Sequence, residues 1–408
     1  MINRVLVSCY RLLTELLFVI SRPLLWLILP LYRYRGALYP PKSRSDRPIL
    51  IHCASVGEVN AVIPLLRELI NKGYPLHIST VTVTGLELVK RSFRNLDASL
   101  APLDIASLRD KQLDALSPAL ILVVETEIWP MLLDRAAYRR IPVLFINARM
   151  SKKSAIAYGR IQALIRYIAR SVKLVLAQSD ADRDRFHSLL DVSSINAGNL
   201  KYCLTLPLFD PISKKQEFGF DADDLVLVWG SSRPGEEALI LDIYAKLKEK
   251  YPTLRLVLAP RHPKRCDEVE KLLRNTVYRR LSDMASESVD IVLIDTLGQL
   301  AGAYTISDIA IVGGSFYDYG GHNPLEPAFY AKAIIIGEYH HSCKASVEKL
   351  LSNNAIIVSN KAKLEKDLVS LLQDAKQRQE MGERAKIVLT ENADALQNHM
   401  EGIERWMR

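Results

Sequence analysis

The sequence predicts an α/β protein built from two doubly wound parallel sheets. Three observations predict it. From Pro48 onward, short apolar runs alternate with amphipathic segments of helical length; that rhythm breaks between residues 205 and 221; and 408 residues suit two domains of ordinary size. With 49% hydrophobic and 25% charged residues the chain can fill sizeable cores, which excludes wholesale disorder and collagen. The five cysteines are scattered without CxxC spacing, so neither a disulfide framework nor a zinc site is expected.

The chain opens with a distinct segment, residues 1–35. It holds Leu12, Leu13, Leu16 to Ile20 and the run Pro23 to Tyr32, interrupted by Glu15, Arg22, Pro23 and Pro30. A spanning helix needs about 20 mostly apolar residues, so this segment is expected to lie in a membrane rather than cross it. Trp26, Tyr32, Tyr34 and the neighbouring arginines suit the headgroup level of an anionic leaflet. A buried helix of the first domain and a single span are the alternatives. Residues 1–47 hold eight basic residues against Glu15 and Asp46, so six of the eight net positive charges sit there. The rest has no basic stripe for a phosphate backbone, and nucleic acid is not an expected partner.

The first sheet is expected over residues 36–204, with strands at Ile49–His52, Leu76–Val81, Ala119–Val124, Val143–Ile146 and Leu174–Ala177. After a linker at 205–221, a second domain over 222–408 repeats the pattern at Leu225–Val228, Leu254–Ala259, Ile291–Ile294, Ile309–Val312 and Ala333–Ile336, with closing helices from 375. Ligands of such sheets bind beyond the carboxyl ends of the strands, so two facing domains would enclose a cleft there.

Chemistry is therefore sought in the turns after strands. Glu58 follows the first strand at a helix N-terminus, where it is either a capping acid or a carboxylate facing the ligand. Glu125 and Glu127 leave the strand ending at Val124; such a pair can hold a proton or face a cationic centre, or both can be first-turn acids of a helix over 127–138. Gly198-Asn-Leu-Lys201 brings an amine near the linker.

In the second domain, Pro260-Arg-His-Pro263 puts Arg261 where it could fork onto a phosphate and Pro263 where it could open a helix. Leu297, Gly298 and Gln299 offer backbone amides at a helix start. The run Gly313-Gly-Ser-Phe-Tyr-Asp-Tyr-Gly-Gly-His-Asn-Pro-Leu-Glu-Pro327 carries glycines for close approach, Asn323 as a cap and Pro324 at the first helical position. Glu326 either accepts from ribose hydroxyls or completes the cap. Asp180-Ala-Asp182 has DxD form but opens a helix, and His340, His341 and Cys343 lack a fourth ligand and are expected at the surface.

Six motifs in order, Ser55-Val-Gly-Glu58, Glu125-Thr-Glu-Ile-Trp-Pro130, Asn147-Ala-Arg149, Gly198-Asn-Leu-Lys201, Pro260-Arg-His-Pro263 and Gly320-Gly-His-Asn-Pro-Leu-Glu-Pro327, resemble the 3-deoxy-D-manno-octulosonic acid (Kdo) transferases of lipopolysaccharide synthesis. The resemblance covers nearly the whole chain. It implies a GT-B fold, CMP-Kdo as donor, the lipid A precursor lipid IVA as acceptor, and inverting transfer at the cytoplasmic face of the inner membrane. It implies Glu58 as general base, with Glu125 and Lys201 stabilising the transition state. It also implies CMP binding by Pro260, Arg261, Leu297, Gly298, Gln299, Asn323, Pro324, Leu325 and Glu326, with no metal or other cofactor. Gln299 stands where the family usually has Glu, Arg233-Pro234 replaces a Thr-His pair, and Cys203 follows the lysine where Asp is common. A UDP-sugar transferase of the same architecture, or a non-catalytic nucleotide-binding membrane protein, are the other readings; UDP rather than CMP protection would mark the first, and an inert Glu58→Ala the second.

Overall fold

The apolar runs become the central strands of two parallel seven-stranded sheets. The structure is a computed structural model that describes residues 2–28, 47–125, 127–273, 276–283 and 289–407. The chain divides into two compact units, Met1–Cys203 with Asn392–Arg408, and Leu204–Glu391.

The first unit contains β1 (Ile49–Cys53), β2 (Leu76–Thr80), β3 (Asp97–Leu100), β4 (Leu120–Val124), β5 (Val143–Ala148), β6 (Val172–Ala177) and β7 (Ser193–Asn196), in the order β3-β2-β1-β4-β5-β6-β7. Ile49 lies opposite Leu76 on one side and Leu120 on the other. Both β1 and β4 are buried throughout, which is why they read as continuous apolar runs rather than alternating ones. Alternation decides the side of the sheet instead. Leu50, Ile121 and Val123 join Phe145 and Phe186 in one core, while Ile49, Ile51, Leu122 and Val124 join Val62 and Leu66 in the other.

The second unit repeats this plan with β8 (Leu225–Ser232), β9 (Leu254–Pro260), β10 (Tyr278–Arg280), β11 (Ile291–Leu293), β12 (Ile309–Val312), β13 (Ala333–Gly337) and β14 (Ile357–Ser359), ordered β10-β11-β9-β8-β12-β13-β14. In each sheet the winding reverses beside the first strand, between β1 and β4 and between β8 and β12, and such reversals are where open α/β sheets bind ligands.

Two features depart from the sequence reading. The stretch read as a linker is partly helical, since Asp210 caps a helix over Pro211–Glu217. The closing helices divide: Ala375–Thr390 stays with the second unit, whereas Ala395–Glu404 packs on the first, where His399 is fully buried. A buried ring that receives the Asn147 N–H at 2.9 Å holds the helix there.

At the N-terminus a helix spans Ile2–Ile28. It rests on the first unit through buried Val7, the Asn3 amide donating to the Ala163 carbonyl at 3.0 Å, and Glu15, whose carboxylate accepts from the Ser107 N–H at 2.6 Å and hydroxyl at 2.9 Å. Glu15 thus supplies a side-chain partner at the N-terminus of helix Ala106–Leu116, which its own flanking residue Ile105 does not cap. Leu12, Leu13, Leu16, Leu17 and Ile20, at helical spacing, stay exposed. Among the described residues no helix is long and apolar enough to cross a membrane. The anchoring roles expected of the Trp26, Tyr32 and Tyr34 side chains and of the arginines at 33 and 35 lie outside what is described.

Candidate active site

In the first unit the switch point gathers carboxylates. Ser55 caps the helix Val56–Asn71 by accepting the Glu58 N–H at 3.2 Å, and the Glu58 carboxylate turns back to accept the Ala54 N–H at 2.6 Å. These bonds are those of the capping role expected of Glu58. Glu58 is only 7% exposed. Burial pushes its carboxyl up to about 7; the Ala54 amide opposes this, and the charges of Glu125 and Glu127 add to it.

Glu125 leaves β4 in the left-handed region, φ 58°, a conformation that costs a side-chain-bearing residue on the order of 1–3 kcal/mol and persists only where surroundings impose it. Its N–H still continues the ladder to the Ile146 carbonyl at 3.0 Å, and its carboxylate takes the Arg149 Nε–H at 3.1 Å. Burial first, then the Glu125 charge, also raises the Glu127 carboxyl. Neither acid lies in the first turn of the next helix, which starts at Pro130 rather than 127. Asp104 fills that role, accepting the Met131 and Leu132 N–H groups at 2.9 and 3.0 Å. The first-turn role expected of Glu125 and Glu127 therefore does not hold.

Lys201 sits on the short turn Leu200–Tyr202, which packs against the helix that carries Glu58. Asn199 accepts the Lys201 N–H at 2.9 Å and donates to Gln178 at 3.0 Å; Asn147, at φ 48°, accepts the Leu200 N–H at 3.0 Å and the Gln178 amide at 2.9 Å. With His399 on the Asn147 N–H, residues from four chain segments hold the lysine's backbone in place. Gln178 and His399 gave no sequence signal, because an isolated amide or imidazole acquires this meaning only when distant segments meet.

A second polar group was also silent in the sequence. Arg109 is fully buried, donating to Asp104 at 3.0 Å and Gln112 at 3.0 Å, with its guanidinium 5.5 Å from the centroid of Trp129. Trp129 in turn meets the buried His52 ring edge-on at 5.0 Å. Burial, with the Arg109 charge, keeps His52 neutral. Asp104 thus links a buried cation to the start of the helix that follows Glu125-Thr-Glu-Ile-Trp, fixing one end of the acidic loop.

In the second unit the switch point gathers amides and cations. A Cβ on Gly313 would lie 2.5 Å from the Ser231 carbonyl, so only glycine lets the loops after β8 and β12 approach this closely. Glu236, fully buried, ties those loops together: its carboxylate accepts the N–H groups of Arg233, Gly314, Ser315 and Phe316 at 2.8 to 3.0 Å. Arg261 and His262 follow β9, which ends at Pro260, and the Arg261 N–H meets the Ser232 carbonyl at 3.0 Å. Pro263 opens a short 3-10 turn, Pro263–Arg265, as its fixed φ allows.

The remaining expected contacts fall at two helix starts. Leu297, 80% exposed, and Gly298, at φ 88°, precede Gln299, which flanks the helix Leu300–Ile306. Asn323 accepts the Leu325 N–H at 3.1 Å from just outside the helix Leu325–Phe329; Pro324, expected at the first helical position, takes the cap position expected of Asn323. Burial raises the Glu326 carboxyl, opposed by the Arg261 charge and a hydrogen bond with Asn323. Asp180 and Asp182 stand in the first turn of the helix Asp180–Leu190, which Ser179 rather than either acid caps; Asp182 accepts the Met150 N–H at 2.9 Å and the Ser179 hydroxyl. Cys343, expected at the surface, is buried.

Residues 32–204 match the family described as 3-Deoxy-D-manno-octulosonic-acid transferase (kdotransferase). The 3-deoxy-D-manno-octulosonic acid transferase of Haemophilus influenzae is 34% identical over 92% of this chain and 90% of its own length. That of Bordetella pertussis is 28% identical over 88% and 87%. A solved glycosyltransferase from Rickettsia africae, 13% identical, superposes with a TM-score of 0.55 over 89% of this chain and 100% of that one, which speaks for the fold alone. Two parallel α/β units of GT-B type, a family match and full-length relatives agree: this chain belongs to the Kdo transferases and is a glycosyltransferase.

Proposed function

We propose that the enzyme transfers Kdo from CMP-Kdo to lipid IVA with inversion at the anomeric carbon, in the synthesis of the lipopolysaccharide core. One observation carries the mechanism: Glu58, buried at the switch point of the first sheet, has its carboxyl held at about 7, where a general base works best near neutral pH. Its carboxylate takes the proton of an acceptor hydroxyl as that oxygen bonds to the anomeric carbon; the bond from this carbon to the CMP phosphate oxygen breaks, and both electrons leave with CMP. Glu125 faces the positive charge that develops on the sugar, steadied by Arg149. Lys201, on a backbone fixed by Asn147 and Asn199, offsets negative charge on the donor.

The second unit supplies the nucleotide site. Arg261, beside Pro260, pairs with the phosphate; the turn Leu297-Gly298-Gln299 and the cap Asn323-Pro324-Leu325 contribute backbone groups; Glu326 accepts from the ribose. CMP leaves as a monoester that these groups neutralise without a divalent ion, so a chelator should leave the rate within about twofold. The exposed stripe Leu12, Leu13, Leu16, Leu17 and Ile20 supports attachment to the cytoplasmic face of the inner membrane, without spanning it.

The test is mass spectrometry of lipid IVA after incubation with the enzyme and CMP-Kdo generated in situ. A gain of one or more Kdo masses is expected. An unchanged acceptor, with an enzyme that binds CMP, would overturn the acceptor assignment; protection by UDP but not CMP would overturn the donor.

A further inference from the structure

Arg233, which the family resemblance singles out as a departure, sits in a cluster of basic side chains at the second switch point. Its backbone N–H is held by Glu236, and its guanidinium lies 4.7 Å from the Tyr319 ring centroid. One terminal nitrogen, Nη1, donates to His262 Nε2 at 3.0 Å. Its Nε–H is buried and without a partner. The His322 Nε2 is likewise buried and unpartnered, and its ring and the Arg233 stem flank Gly314, where a Cβ would lie 2.9 Å from the ring and 3.5 Å from the stem.

Charge in this cluster is unbalanced. Two buried carboxylates lie nearby and both are occupied: Glu236 by four backbone N–H groups, and Glu237 by the Ser232 hydroxyl and the Arg265 guanidinium. Arg261 acts on both Glu326 and His322, whereas Arg233 reaches His322 and Tyr319. Arg261 and Arg233 thus both place positive charge on His322, and the Arg233 stem and the His322 ring meet across Gly314. With Nη1 spent on His262, Arg233 keeps its Nε/Nη2 edge, the pair of parallel donors that grips a carboxylate in two bonds.

We propose that Arg233 and His322 form a second anion subsite beside Arg261, and that it takes the carboxylate of the donor sugar while Arg261 takes the nucleotide phosphate. This rests on the reading that the second unit binds CMP-Kdo. Such a site recognises an acidic sugar by its acid group, and it would leave free CMP almost indifferent to Arg233. Glu236 is the positioning residue, since it fixes the backbone of Arg233 and of the Gly314 loop together.

The experiment compares the intact enzyme with Arg233→Gln and Arg261→Gln, measuring KM for CMP-Kdo and the inhibition constant of CMP. Arg233→Gln should raise KM for CMP-Kdo about 10- to 100-fold and change CMP inhibition less than threefold, whereas Arg261→Gln should weaken both. Arg233→Lys, which keeps the charge but not the fork, should fall between wild type and Arg233→Gln. Equal weakening of CMP and CMP-Kdo by Arg233→Gln would overturn the proposal, as would no change in either, with thermal melting establishing that each variant is folded. A wild-type enzyme that neither binds CMP nor uses CMP-Kdo would instead defeat the donor reading itself.

Discussion

The two switch points share one topology and carry opposite charge. Between β1 and β4, Glu58, Glu125 and Glu127 crowd together, and the charge of Glu125 raises the proton affinity of the other two. Between β8 and β12, Arg233, Arg261, His262 and His322 crowd instead, and the buried Glu236 among them is consumed by backbone amides. A parallel sheet decides where a ligand can sit; the side chains after its strands decide whether the site moves a proton or holds an anion.

The largest test of that contrast is Glu58→Gln. Loss of a general base should lower the transfer rate about 10²- to 10⁴-fold while CMP affinity holds, and a variant with full activity would remove Glu58 from the mechanism. The wild-type rate should rise with pH through about 7, because only the ionised carboxylate accepts the proton. Stability should run the other way. A carboxyl whose folded pKa is raised contributes stability that is fully present below its unfolded value and lost as pH rises through about 7. Glu58→Gln, which keeps an acceptor for the Ala54 N–H, should thus be more stable than wild type at pH 8, by up to about 3 kcal/mol, in denaturant titration.

Next in size is Arg109→Met. Leaving Asp104 without its buried cation should destabilise the first unit by about 3–5 kcal/mol, and adding Asp104→Asn should recover part of that in a double-mutant cycle. If Asp104 positions the acidic loop, kcat should fall at least tenfold with the CMP inhibition constant unchanged. A kcat that follows the folded fraction alone would make the pair purely structural.

The smallest expected effect concerns His399. Burial holds its ring down at about 4, although the hydrogen bond to the Ala395 carbonyl favours the charged form. A histidine with a lowered folded pKa contributes stability that is present above 6.5 and lost as pH falls toward 4. His399→Gln should flatten the acid side of the stability profile over that window. An unchanged slope would mean that another group governs it.

All ten strands expected from the sequence are present, and the four it did not show, β3, β7, β10 and β14, are the four sheet edges. Central parallel strands are covered on both faces and must be apolar throughout, so they announce themselves; edge strands such as Ser193–Asn196 are short and polar, and only a neighbour's open ladder makes them strands. The candidate site divides similarly. Glu58, Glu125, Arg261 and Asn323 were legible because each follows an apolar run or opens a helix. Asp104, Gln178, His399 and Glu236 were not, since each acts on a segment 27 to 252 residues away and nothing local marks it.

What the sequence by itself determined was therefore the periodic part: two parallel sheets, the turns that bear the chemistry, and the family those turns resemble. Local pattern suffices there, because a strand buried on both faces and a capped helix impose their composition on consecutive residues. The tertiary structure alone decided that the last helix returns to the first unit, that Glu15 rests on the start of another helix, and that Glu58 ionises near neutrality. These depend on desolvation and on charges brought together from distant parts of the chain, and both arise only when the chain has folded.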